Sequence, residues 1–151
     1  LLKDTTPILG IIYLPALNLL YKAACDLGAF CNNQPIKVSS TETLSAAMGS
    51  GLGFIQHQEK REGKALFSLM SSWDYTYGFM DAFSYGCVCS AKLDACVNLL
   101  DKPWDCAAAA CIIEEAGGRY SDIHGNKTIF NGSFVISNKK LHSQIIEFFN
   151  E

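Results

Sequence analysis

Apolar and polar positions change rhythm near residue 42. Residues 8–14 form an apolar run of strand length, and 19–24 form a second. Asp26, Gly28, Asn32, Asn33 and Pro35 are turn residues, and they bracket two more short strands predicted over 29–31 and 36–38. Lys3-Asp4-Thr5-Thr6-Pro7 reads as a hairpin turn ahead of them. Residues 1–42 thus read as part of an antiparallel meander. A chain that opens on half of a hairpin is expected to lack partner strands upstream.

Beyond the polar boundary Ser39-Ser40-Thr41-Glu42, strand and helix patterns alternate. A glycine-containing strand and loop is predicted over 46–54. A helix is predicted over 58–71, with Ala65, Leu66, Leu69 and Met70 on one side and Glu59, Lys60, Arg61, Glu62 and Lys64 on the other. Strands follow at 75–77, 93–99, 119–121 and 134–137, a buried helix at 81–91, and a closing helix at 141–149. Gly63 and Gly86 each sit inside a predicted helix, where glycine is unfavourable. Turns are expected at 122–125 and at Asn131-Gly132. The alternation predicts an α/β fold, with α+β character at the N-terminal end. Residues 1–42 are expected to be a remnant of an N-terminal antiparallel sheet, and 43–151 a C-terminal α/β domain.

One stretch carries candidate chemistry: Lys102-Pro103-Trp104-Asp105-Cys106-Ala107-Ala108-Ala109-Ala110-Cys111-Ile112-Ile113-Glu114-Glu115-Ala116-Gly117-Gly118. Pro103 pushes Lys102 toward extended geometry. Ala107 to Ala110 favour a helix, and Gly117-Gly118 stops it. Asp105 falls at the N-cap or in the first turn. A helix apolar on most faces belongs inside a protein, which places Asp105 at the edge of a core. Two readings stand: a cap, or a metal ligand or catalytic carboxylate on a rigid element.

Charge and cysteine content narrow the partners. A net charge of -3 gives no basic footprint for nucleic acid. No apolar run reaches membrane-spanning length, and the first residues do not read as a signal peptide. The seven cysteines include no Cys-x-x-Cys pair and read as reduced core residues of a cytoplasmic protein. A cysteine-based zinc or redox site is the weaker alternative, because the usual ligand spacing is absent. His57, His124 and His142 are scattered and read as surface or loop residues.

The run from Trp104 to Gly118 resembles the second signature of the inositol monophosphatase family, a tryptophan-aspartate-x-alanine-alanine helix ending in glutamate-alanine-glycine-glycine. Leu9-Gly10-Ile11-Ile12-Tyr13-Leu14-Pro15, Leu20-Tyr21-Lys22-Ala23, Gly28-Ala29-Phe30-Cys31-Asn32-Asn33 and Phe134-Val135-Ile136-Ser137-Asn138 with Leu141-His142 resemble other segments of the family, in the same order. The resemblance implies a layered α-β-α-β-α sugar-phosphatase fold and Mg2+-dependent hydrolysis of a small phosphate monoester, histidinol phosphate or inositol phosphate. It makes Asp105 a ligand of catalytic magnesium and implies a homodimer. Magnesium needs several converging oxygen ligands. The family supplies the others from a glutamate-glutamate loop and an aspartate-proline-x-aspartate-glycine-threonine motif, neither of which this sequence contains. Asp4-Thr5-Thr6 is no substitute, lying in the hairpin turn. The chain is therefore expected to be a C-terminal portion, inactive alone.

The resemblance also marks a substrate wall at Gly78-Phe79-Met80-Asp81-Ala82-Phe83. Asp81 stands at the histidinol-type position and Ser84 at the inositol-type one. Asp81 either pairs with a cationic substrate group or caps the next helix. Seven residues before Asp105, relatives usually carry a substrate-contacting carboxylate; here it is Asn98, which can bond hydroxyls but has no charge. Trp104 is expected to pack beneath the metal loop, and Lys92 and Arg119 are either phosphate-seeking or solvated. The competing function class is a divergent or truncated binding module of the same fold. The edge near 8–14 is expected to invite dimerisation or aggregation.

Overall fold

The computed structural model describes residues 1–78 and 81–150. Phe79 and Met80, part of the expected substrate wall, lie outside the described residues.

The N-terminal part is a meander. A short hairpin, β1 (Leu2–Lys3) and β2 (Thr6–Pro7), leads into β3 (Leu9–Leu14), β4 (Leu19–Ala24), β5 (Ala29–Cys31) and β6 (Gln34–Pro35). The last four form an antiparallel sheet in sequence order. Asn18, Asp26, Asn32 and Asn33 all take positive φ in its turns, a conformation that Asn and Asp tolerate. The strand expected at 36–38 is absent. Asn32 and Asn33 make a two-residue turn that brings Gln34 opposite Cys31, so pairing starts two residues earlier, at Gln34, and ends at Pro35.

The second part holds β7 (Met48–Leu52), α1 (Arg61–Ser72), β8 (Tyr75–Tyr77), α2 (Asp81–Cys89), β9 (Ala95–Asn98), α3 (Pro103–Glu115), β10 (Arg119–Ser121), β11 (Phe134–Ser137) and α4 (Lys139–Asn150). Its mixed sheet runs β10-β11-β9-β7-β8. β7 is parallel to both β8 and β9, while β11 is antiparallel to β9 and β10. This is an α/β fold.

Strand alternation divides the interior. Cys96 of β9 and Phe134 and Ile136 of β11 face one core, shared with α2, α3 and the inward residues Ile12, Tyr21, Ala23 and Ala29 of the meander. Ala95, Val97 and Val135 face the other, shared with Leu66 and Leu69 of α1 and Leu141, Ile145 and Phe149 of α4. Thus α2 and α3 lie between the two sheets, and α1 and α4 cover the far face of the mixed sheet.

The two helical glycines are sites of close approach. A Cβ on Gly63 would collide with the His57 carbonyl, and one on Gly86 would come within 2.6 Å of the Tyr21 ring. Contact between layers outweighs helix propensity at both. His142 departs from the surface role expected of it. It is buried on α4, within 2.9 Å of Ser121 Oγ through Nε2 and of Ser137 Oγ through Nδ1. Ser121 spends its only hydroxyl proton on the Asp122 carbonyl, so it accepts the Nε2 proton, and Nδ1 accepts from Ser137. Burial, with the Arg119 charge added, lowers the His142 pKa to about 4.

Candidate functional site

Parallel strands β7 and β9 end side by side, Leu52 opposite Asn98. Ligands of open α/β sheets bind beyond the carboxyl ends of such strands. A cleft of about 250 Å3 lies there, lined by Leu52, Gly53, Gln56, Asp81, Asn98, Leu100, Asp101 and Asp105. Among the described residues, three carboxylates and no basic side chain line it.

Asp105 is exposed at the third position of α3. Its Oδ2 accepts the Lys102 N–H at 2.9 Å, and its own N–H donates to the Lys102 carbonyl at 2.9 Å. Pro103 occupies the first helical position, where a missing N–H costs nothing. The capping reading is therefore met. One oxygen closes the helix end, and among the described residues the other has no partner.

Asp81 opens α2 with φ 51, a left-handed conformation uncommon for a residue other than glycine, and its side chain is exposed. Asn98, the last residue of β9, is buried. Its Nδ2 donates to Asp101 Oδ1 at 2.5 Å and to Tyr85 Oη at 3.2 Å, and its Oδ1 accepts the Leu100 N–H at 2.9 Å. Both amide protons are thereby committed within the protein. Ser84 is fully buried, and Lys92 is exposed and does not line the cleft. Arg119 lines a different groove, with Lys127, Lys139 and His142.

Asp101 was missed in the sequence. It sits in the loop between β9 and α3, only 4% exposed, with Oδ1 bonded by Asn98 and Oδ2 by the Tyr85 hydroxyl. Burial pushes its carboxyl up to about 6; the Tyr85 and Asn98 bonds oppose that shift, and the charges of Asp105 and Asp81 reinforce it. Burial raises the Tyr85 pKa far above its ordinary value. The one local signal was the pair Asp101 and Asp105 flanking Pro103, which puts two carboxylates at one helix start.

Trp104 does not pack beneath the loop as expected. It is 80% exposed, because α3 buries Cys106, Ala109, Ala110 and Ile113, and the second helical position points away from them. The cysteines are all free thiols; Cys25 is exposed and Cys31 half-buried, the other five buried.

The cleft suits a hard cation in kind, since its charged donors are all carboxylates. It does not supply a full set. Among the described residues no three His, Cys, Asp or Glu side chains converge to hold a metal ion. Asp105, with its free oxygen, fits as one ligand.

The model of the inositol monophosphatase family matches residues 1–151, and the chain belongs to that family. It is similar to a histidinol-phosphatase of Chlorobaculum parvum, 33% identical over 85% of this chain and 50% of that protein. It is similar to a fructose-1,6-bisphosphatase/inositol-1-monophosphatase of Thermotoga maritima, 30% identical over 95% and 55%. Among solved structures, an inositol monophosphatase of Anabaena superposes with a TM-score of 0.90 at 26% identity, over 99% of this chain and 63% of the other. The chain spans about half the length of the curated relatives it matches.

Proposed function

We propose that this chain supplies the C-terminal portion of a Mg2+-dependent phosphomonoesterase, acting on a small phosphorylated substrate such as histidinol phosphate or inositol phosphate. The observation that carries the reading is Asp105, pinned by one oxygen to Lys102 with the other left free at an acidic cleft. In this reading residues 1–42 belong to a larger N-terminal sheet, and the remaining metal ligands come from acidic motifs outside these 151 residues. The chain alone is inactive.

Bound magnesium would neutralise the phosphate, activate water and stabilise the leaving alkoxide. Asp105 would hold the ion through its free oxygen. Asp81, at the cleft rim, accepts a hydrogen bond from a cationic or hydroxyl group of the substrate's organic part. Asn98 shapes the wall behind it as an uncharged amide where the family resemblance expects a carboxylate. Leu52 and Leu100 exclude water from one side of the cleft. The family's membership of a homodimer carries over as a further expectation.

Phosphate release with Mg2+ tests the reading, comparing histidinol phosphate with inositol phosphate. The chain alone should release none. A polypeptide joining the part of the Thermotoga relative that this chain does not match to Leu1 should be active. Full activity of the isolated chain would contradict the proposed division of ligands. An inactive joined polypeptide would favour the non-catalytic binding module.

A further inference from the structure

The cleft wall holds one buried carboxyl, Asp101. Asp101 is engaged by Tyr85 from α2 and by Asn98 from β9, both neutral donors. Burying an ionisable group among neutral partners, with two more carboxylates nearby, costs free energy that an apolar side chain would avoid. Residues kept at such a cost in a cleft cluster at functional sites.

The path of the chain shows what Asp101 controls. Lys102 follows it directly, and the Lys102 N–H and carbonyl make the two bonds that orient Asp105. Pro103 removes much of the remaining freedom of Lys102. A hold on Asp101 is therefore passed through one peptide unit to the Asp105 carboxylate. A ligand whose torsions are fixed in advance loses less entropy when it captures an ion.

We infer that Asp101 is a positioning residue: anchored by Tyr85 and Asn98, it sets the Lys102 backbone that presents the free oxygen of Asp105 to a divalent cation. This rests on the reading of Asp105 as a cation ligand. Asp101 itself does not touch the ion. The network joins α2, β9 and the start of α3, the three elements that carry Asp81, Asn98 and Asp105.

Mn2+ is the probe, read by paramagnetic broadening of amide resonances in the 151-residue chain. In the wild type, amides of residues 101–106 should broaden first, and Asp105→Asn should abolish that selectivity. Asp101→Asn should raise the Mn2+ midpoint about 10-fold, the lower end of what outer-shell partners contribute. Tyr85→Phe keeps the carboxylate and removes only one anchor, and it should also raise the midpoint, by roughly 3-fold or more. It keeps the test available if Asp101→Asn does not fold. Two results overturn the inference alone: both variants matching wild type, or Asp101→Asn weakened while Tyr85→Phe is unchanged, which is a charge effect without positioning. No selective broadening in the wild type overturns the reading of Asp105 and this inference with it.

Discussion

Two regions of the molecule invert the usual burial pattern, in opposite directions. At the end of β9, polar groups are inside: Asn98 and Asp101 are each 4% exposed and bonded to each other and to the buried Tyr85. On the outer face of β3, apolar groups are outside: Leu9, Ile11 and Tyr13 are exposed, and Leu27 lies nearby at 71% exposure. A groove of about 220 Å3 there is lined by Leu9, Ile11, Phe30 and Leu27 among others. The polar network is complete within the chain, because each of its donors has an acceptor. The apolar face is not complete within the chain, because nothing among the described residues covers it. The first satisfies its polar groups internally at the edge of an acidic cleft; the second leaves apolar side chains in contact with solvent.

Adjacent residues of β3 give the sharpest way to break this contrast. Ile12 faces the core and Ile11 faces outward. Ile12→Ala should lower unfolding free energy by about 3 kcal/mol. Ile11→Ser should change it by less than about 0.5 kcal/mol. Equal losses in chemical denaturation would mean that the outer face is packed in solution. Tyr85→Phe comes next, at about 1–2 kcal/mol, since it leaves Asp101 short of a donor in a buried setting.

Protonation separates the cleft from the mixed sheet's far side. Asp101 has a folded pKa of about 6, above the 3.8 of an ordinary Asp. Its contribution is fully present below pH 3.8 and is lost as pH rises through about 6. His142 is depressed to about 4 from 6.5, so its contribution is present above pH 6.5 and is lost as pH falls through about 4. Between these limits the two oppose each other. Asp101→Asn should steepen the rise of stability with pH, and His142→Gln should flatten it, each by up to about 2 kcal/mol across the window. Denaturation midpoints at pH 4.5 and 7 check the signs. The smallest effect is on association: Ile11→Lys with Tyr13→Lys should reduce self-association seen by light scattering.

Local signals carried much of the fold. β4, β5, β8, β10 and β11 fall where alternation and turn residues placed them, and α3 follows from Pro103, the alanine run and Gly117-Gly118. Residues whose role depends on distant partners were not legible. Asp101 has no sequence signal for its buried bond to Tyr85, which lies sixteen positions earlier. His142 reads as a helix surface residue until Ser121 and Ser137 are seen to enclose it. Trp104 is expected to pack beneath the metal loop, yet its position in the first turn of α3 turns it to solvent. Asp105 stands out in the sequence because a motif and a helix start coincide there.

Asp105→Asn in the polypeptide that joins the unmatched part of the Thermotoga relative to this chain is the most direct test of the phosphatase reading. Loss of one ligand should lower kcat/KM for the phosphate monoester by at least about 100-fold, given the several kcal/mol a catalytic metal supplies. The melting temperature should stay within a few degrees. Activity unchanged by Asp105→Asn would contradict the role assigned to that carboxylate.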